Sequence, residues 1–206
     1  MNRATELDDL ELVQSIVSGN KEAFAELVRR YQHKVYSTAL RMCCSREDAE
    51  DIAQEVFLKV YIGLPRFRAE SNFSTYLYRV AMNTAIDHLR RKGAMPDTTS
   101  LYRDSEEGGY VIEPEDPAPS PLAMLEEQER NAVLRSAIEA LPVNHREMIV
   151  LRDVNGLSYE EIGKILNLGE GTVKSRINRA RARLRRDLAA FGNFFTPNES
   201  NIAERG

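Results

Sequence analysis

From Leu10 to Lys92 the apolar residues return at helical intervals, with no strand-like alternation. Phe24, Leu27, Val28, Tyr31, Val35 and Met42 fall on one face of a long helix. Gly19 and Asn20 separate that helix from a shorter one around Leu10 to Val17. Ser45 offers its hydroxyl as the cap of a third helix, and Glu47 and Asp48 suit its positive end. This helix turns Ile52, Val56, Val60 and Leu64 inward and stops at Pro65. The spacing predicts a fourth from about Ser74 to Arg91, with Leu77, Ala81 and Ile86 inward and a basic last turn before Gly93.

The pattern then breaks. Pro96, Pro114, Pro117, Pro119 and Pro121 cluster with Gly93, Gly108 and Gly109, and few apolar residues accompany them. Such a stretch cannot offset its ordering entropy by burial, so residues 93–122 read as a linker. Helical periodicity resumes near Met124 and continues to about Ala190, and the ending GNFFTPNESNIAERG reads as a frayed tail over 191–206. The expected fold is all-α. Two small helical domains, 1–92 and 123–190, are joined by a flexible acidic linker, and the second contains a helix-turn-helix.

Charge sharpens this division. The net charge of the 206-residue chain is −4, but opposite signs are sorted into blocks. Lys174, Arg176, Arg179, Arg181, Arg183, Arg185 and Arg186 lie between Thr172 and Arg186 with no acid among them, a net of +7. Gly93 to Pro121 holds seven acids against Arg103 alone, a net of −6. Cys43 and Cys44 are adjacent in a helical pattern, where a mutual disulfide is geometrically poor, so free thiols in a reducing cytoplasm are expected. The opening NRATELDDLE is unlike a signal peptide, and no apolar run approaches the ~20 residues of a membrane span. A soluble, cytoplasmic protein without direct membrane insertion is the expectation.

The basic block sits in a recognisable frame. Ser158-Tyr159-Glu160-Glu161 is a capping box that opens a short helix with Ile162, Ile165 and Leu166 inward. Asn167-Leu168-Gly169 makes the turn. In the following helix Val173, Ile177, Ala180 and Leu184 form a narrow buried stripe, and Lys174, Ser175, Asn178, Arg179 and Ala182 lie opposite. Solvated helix faces usually mix signs for i,i+4 pairing, and this one has no carboxylate across the fifteen residues from Thr172 to Arg186. Its outer face, polar at the centre and basic at the edges, suits the major groove of duplex DNA. A helix-turn-helix alone fits repressors, activators and response-regulator output domains equally well.

The first half adds a second nucleic-acid signal. Arg66, Arg68, Arg79, Arg90, Arg91 and Lys92 interleave with Phe67, Phe73, Tyr76 and Tyr78, against Glu70 and Asp87 alone. Positive charge tracks a backbone while aromatic faces stack on unpaired bases, a combination suited to single-stranded DNA. A plain DNA-binding regulator would show a ligand or phosphoacceptor domain here, with an apolar pocket or alternating strands. An enzyme is not expected either: His33, His88 and His145 are isolated, and there is no Gly-rich phosphate loop and no metal-ligand spacing.

The runs AFAELVRRYQHKVY, DAEDIAQEVFLKVY, FSTYLYRVAMNTAIDHLRR and ALPVNHREMIVLRDVNGLSYEEIGKILNLGEGTVKSRINRAR, in that order, resemble the extracytoplasmic-function sigma factors of bacterial RNA polymerase. The resemblance covers about residues 10–190. It implies that Asp48, Asp51, Gln54 and Glu55 face the clamp helices of the largest polymerase subunit, with the flap of the second-largest subunit as a further contact. It implies a minus-ten site of Lys59, Phe67, Tyr76, Arg79 and Asn83, with Lys59, Phe67 and Asn83 lining a pocket for a flipped base. Tyr76 stands where the family usually has Trp. Thr172, Lys174, Ser175, Arg176, Asn178, Arg179 and Arg183 would serve the minus-thirty-five element. The acidic linker would thread the polymerase's nucleic-acid channel. Promoter DNA and an anti-sigma factor are the other implied partners, and no cofactor or metal is implied.

Overall fold

The computed structural model describes residues 7–68, 71–93 and 121–190. Residues 94–120 of the linker expected over 93–122, and the tail expected over 191–206, lie outside them, while Pro121 and Leu122 fall in a helix rather than in the linker. Helices α1 (Asp9–Val17), α2 (Lys21–Cys43), α3 (Arg46–Gly63) and α4 (Phe73–Arg91) make the first half, with a 3-10 turn at Leu64–Arg66. Helices α5 (Pro121–Glu139), α6 (Val143–Ile149), α7 (Tyr159–Leu166) and α8 (Glu170–Ala189) make the second, with a π-helical turn at Val150–Val154 after α6. No strand occurs among the described residues.

Local chemistry fixes the helix ends. Asp8 and Glu11 form a capping box on α1, and the Asn20 side chain accepts from the amides of Glu22 and Ala23 at the start of α2. Ser45 caps α3 as the sequence predicts, accepting from the Asp48 amide at 3.3 Å. Between α2 and α3, Cys44 takes a left-handed conformation (φ 61) that lets its amide bond Leu40 O.

The first core collects Leu12, Leu27, Met42, Ile52, Leu77 and Met82, each under 2% exposed. At roughly 1.5–3 kcal/mol per buried aliphatic side chain, such contacts carry most of the stability. The same cluster continues into the second half through Leu141, Met148, Ile149, Leu151 and Ile162, with Val173, Ile177 and Ala180 of α8.

The periodicity did not announce that the two halves dock. Arg146 of α6, 7% exposed, donates to Met42 O at 2.6 Å and to Leu141 O at 3.1 Å, and also to Glu139 O. One guanidinium thus satisfies carbonyls at the C-terminal ends of α2 and α5, the negative poles of two helices from different halves. Asn155, just past the π-helical turn, donates its amide to the Thr38 hydroxyl of α2 at 3.1 Å.

Candidate nucleic-acid interface

The helix-turn-helix forms as the sequence reading expects. Ser158 and Glu161 exchange bonds at 3.2 and 2.8 Å, and Asn167 ends α7 in a left-handed conformation (φ 54). Gly163, which the sequence reading passed over, makes the tight turn possible: a Cβ there would stand 2.7 Å from Leu168 O and 4.0 Å from Val173. The signal available was a glycine in mid-helix, where it costs stability unless another backbone must come close.

Val173, Ile177 and Ala180 hold α8 against the core, and Leu184 is half-buried. Thr172, Lys174, Ser175, Asn178 and Arg179 are exposed on the other side. Ser175 donates to Thr172 O at 2.9 Å, and Arg179 folds back on Ser175 O at 3.3 Å. Two of the seven basic residues are not free. Arg183 pairs with Asp187 at 3.0 Å, and Arg181 bonds Asp153 at 3.1 Å. Arg176 is half-buried, beside Glu147.

In the first half, Phe67, Phe73 and Tyr76 form one aromatic cluster. Phe67 lies 5.0 Å from Tyr76 and 6.3 Å from Phe73, and Tyr31 packs edge-on to Phe73 at 5.5 Å. The Arg79 guanidinium stands over Tyr76 at 5.6 Å. Phe73 is core, but Phe67 and Tyr76 are half-buried, each with a rim facing outward. Asn83 is exposed on α4 and its side chain has no partner among the described residues. Lys59 of α3 reaches the hydroxyl of Thr84 at 3.1 Å while paired to Glu55 at 2.8 Å. Tyr76 and Arg79 are thus in contact, and Lys59 adjoins the residue next to Asn83.

The acidic face of α3 divides in two. Asp51 and Gln54 are exposed and make no side-chain bond among the described residues. Glu55 is half-buried and held below the usual carboxylate range by Lys59 and Arg91. Asp48 is 8% exposed and turned onto Lys92 at 2.5 Å, with His88 Nε2 3.0 Å from the same oxygen but off hydrogen-bond geometry. Burial raises its pKa, yet Lys92, His88 and Ser45 outweigh that and hold it low. Asp48 therefore does not stand on the presented surface with Asp51 and Gln54. Leu58 (60% exposed) and Ile62 (67%) do continue that stripe, at helical spacing from Asp51. Their exposed apolar character was readable as an interruption of the inward pattern at Ile52, Val56 and Val60.

Comparison with known proteins gives the family. Residues 27–95 match the model of Sigma-70 region 2, and residues 131–184 that of Sigma-70, region 4. Both regions on one chain define a sigma subunit of bacterial RNA polymerase. Over 180 residues the chain is 43% identical to the ECF RNA polymerase sigma-E factor of Escherichia coli strain K12, covering 85% of this chain and 92% of that protein. It is 39% identical to the RNA polymerase sigma-H factor of Pseudomonas aeruginosa, covering 86% and 92%. Among solved structures, CnrH in complex with the cytosolic domain of CnrY matches with a TM-score of 0.64 and 27% identity, over 88% of this chain and 97% of that one. The sigma factor RpoE of Bartonella quintana, in complex with the anti-sigma factor NepR, shares the fold at a TM-score of 0.59 and 24% identity, over 81% and 96%. The chain belongs to the extracytoplasmic-function (ECF) sigma factors. It binds core RNA polymerase and directs it to promoters, and it is not an enzyme. No helix among the described residues is long and apolar enough to cross a membrane.

Proposed function

We propose that the two halves divide promoter recognition between them, working in the cytoplasm under the control of an anti-sigma partner. Residues 123–190 read the minus-thirty-five element as duplex through Thr172, Lys174, Ser175, Asn178 and Arg179, with Arg176 and Arg183 at the flanks. The first half takes the opened minus-ten strand between α3 and α4. Phe67 and Tyr76 supply stacking faces, Arg79 supplies charge, and Asn83 and Lys59 supply polar atoms for a base edge. Asp51 and Gln54, with Leu58 and Ile62 beside them and Glu55 and Asp48 behind, form the face for the polymerase clamp. The second half meets the flap, and the acidic linker of 93–122 occupies the nucleic-acid channel.

The observation that carries this reading is the exposure of Asn83, without a side-chain partner among the described residues, one helical turn beyond the Arg79 that stacks on Tyr76. An amide left free in a basic setting suits recognition of a neutral base edge. A protein partner is supported by CnrH, 27% identical to this chain and solved in complex with the cytosolic domain of CnrY. Run-off transcription with core polymerase over a promoter library tests the division. Asn83→Ala should relax selectivity at a single minus-ten position, and Arg179→Ala should weaken the upstream element alone. Asp51→Arg should cost several kcal/mol of polymerase association while shifting stability by only about 0.5 kcal/mol. Unchanged base preference in Asn83→Ala at every position would place the base pocket elsewhere.

A further inference from the structure

Gly63 closes α3 with φ −83 and ψ −20, an ordinary right-handed conformation. Alanine adopts that conformation readily and is favoured over glycine in a helix, so the backbone does not require a glycine here. The space above it does. A Cβ at position 63 would fall well inside van der Waals contact with the Tyr76 hydroxyl oxygen and 3.6 Å from its Cζ. The phenol of α4 therefore lies directly over the bare Cα at the end of α3. Its hydroxyl makes no hydrogen bond to any described residue, so no polar partner fixes it there. The ring is held by other means: Phe67 on one side, Phe73 at 6.3 Å, and the Arg79 guanidinium over its face.

We infer that Gly63 is a positioning residue for Tyr76, its missing side chain setting the tilt at which the ring meets unpaired DNA. The inference rests on the reading of Phe67, Tyr76 and Arg79 as the minus-ten strand site. A methyl group at 63 meets the far end of a side chain, which moves more easily than a helix. Gly63→Ala should therefore rotate the ring off its seat and leave α3 intact. Because Phe67 packs on Tyr76, the displacement reaches both stacking faces together.

The test uses reconstituted holoenzyme and permanganate reactivity of thymines in the minus-ten region. Gly63→Ala should lower open-complex formation by about tenfold, as expected for one weakened base–aromatic stack. Thermal stability should be equal or higher, and affinity for core polymerase and for an upstream-element duplex unchanged. The decisive arm is the double variant. Tyr76→Phe removes the oxygen that the methyl group meets, so Gly63→Ala combined with Tyr76→Phe should open promoters within about twofold of Tyr76→Phe alone. Wild-type opening by Gly63→Ala, or a double variant as impaired as Gly63→Ala, would overturn the inference. Phe67→Ala separates this from the reading beneath it. If Phe67→Ala is defective while Gly63→Ala is normal, the strand site stands and the glycine inference falls. If Phe67→Ala opens promoters normally, the strand site lies elsewhere and both fall.

Discussion

Glu147 is 8% exposed in α6, near Arg90 of α4 and Arg176 of α8, and its carboxyl accepts no hydrogen bond from any described residue. Burial pushes its pKa up to about 7, against the pull of the two arginines. The folded chain therefore keeps a proton that the unfolded chain gives up near the ordinary value of 4.5. The sign follows from linkage: this group costs nothing below pH 4.5, and its cost to folding grows as pH rises towards 7. At its fullest the cost is about 3 kcal/mol. Glu147→Gln, which keeps the shape and cannot ionise, should raise the urea midpoint at pH 8 and leave it near wild type at pH 4.5. An equal effect at both pH values would show that the carboxyl is not protonated in the fold. The sequence shows Glu147 as a polar residue in the apolar run REMIVL, but not that Arg90, from the other half of the chain, comes near it. Asp48 was opaque for the same reason, since Lys92 and His88 reach it only once α4 has packed on α3.

Local sequence determines the elements, and they were the most legible layer. The capping box at Ser158, the turn at Asn167 and the buried stripe of α8 all depend on residues within one or two turns of each other. The +7 count was less complete than it looked. It ended at Arg186, one residue short of Asp187, the i,i+4 partner of Arg183, and Arg181 pairs back to Asp153 across the domain. Five basic side chains on α8 form no salt bridge among the described residues, which sets an upper slope near −4.5 for log K against log salt in duplex binding. Asp187→Asn should release Arg183 and steepen that slope by about one unit, as measured by fluorescence anisotropy at several salt concentrations. A slope unchanged by Asp187→Asn would mean that Arg183 faces away from the phosphates even when released.

At the scale of the molecule the halves were readable but their docking was not. No periodicity records that Arg146 ends on Met42 O or that Asn155 meets Thr38. Yet docking bears directly on function. The minus-ten and minus-thirty-five elements lie about 85 Å apart at 3.4 Å per base pair. In the docked chain α4 and α8 converge around Glu147, so the two helices proposed to face DNA are far closer than that. Residues 94–120 can reach about 90 Å when extended, enough to bridge both elements once the halves part. On the proposed division of promoter reading, engaging both elements at once would require the halves to undock. Asn155→Ala removes one interdomain hydrogen bond, about 1 kcal/mol, and should shift the docked-to-open ratio about fivefold.

Cys44 turns that opening into something that can be timed. Its sulfur lies 3.2 Å from Arg146, and burial pushes the thiol up to about 12, near Glu139 and Arg146 of the second half. A thiol so protonated is nearly inert to alkylation, and a return to the ordinary cysteine range would raise its thiolate fraction roughly a thousandfold. In a Cys43→Ser background, iodoacetamide labelling of Cys44 should be slow in the free chain, faster in Asn155→Ala and fastest with core polymerase bound. The same labelling rate in all three would mean that the halves stay together throughout. The chain thus carries its own stopwatch, an alkylation clock that runs only while the two halves are apart.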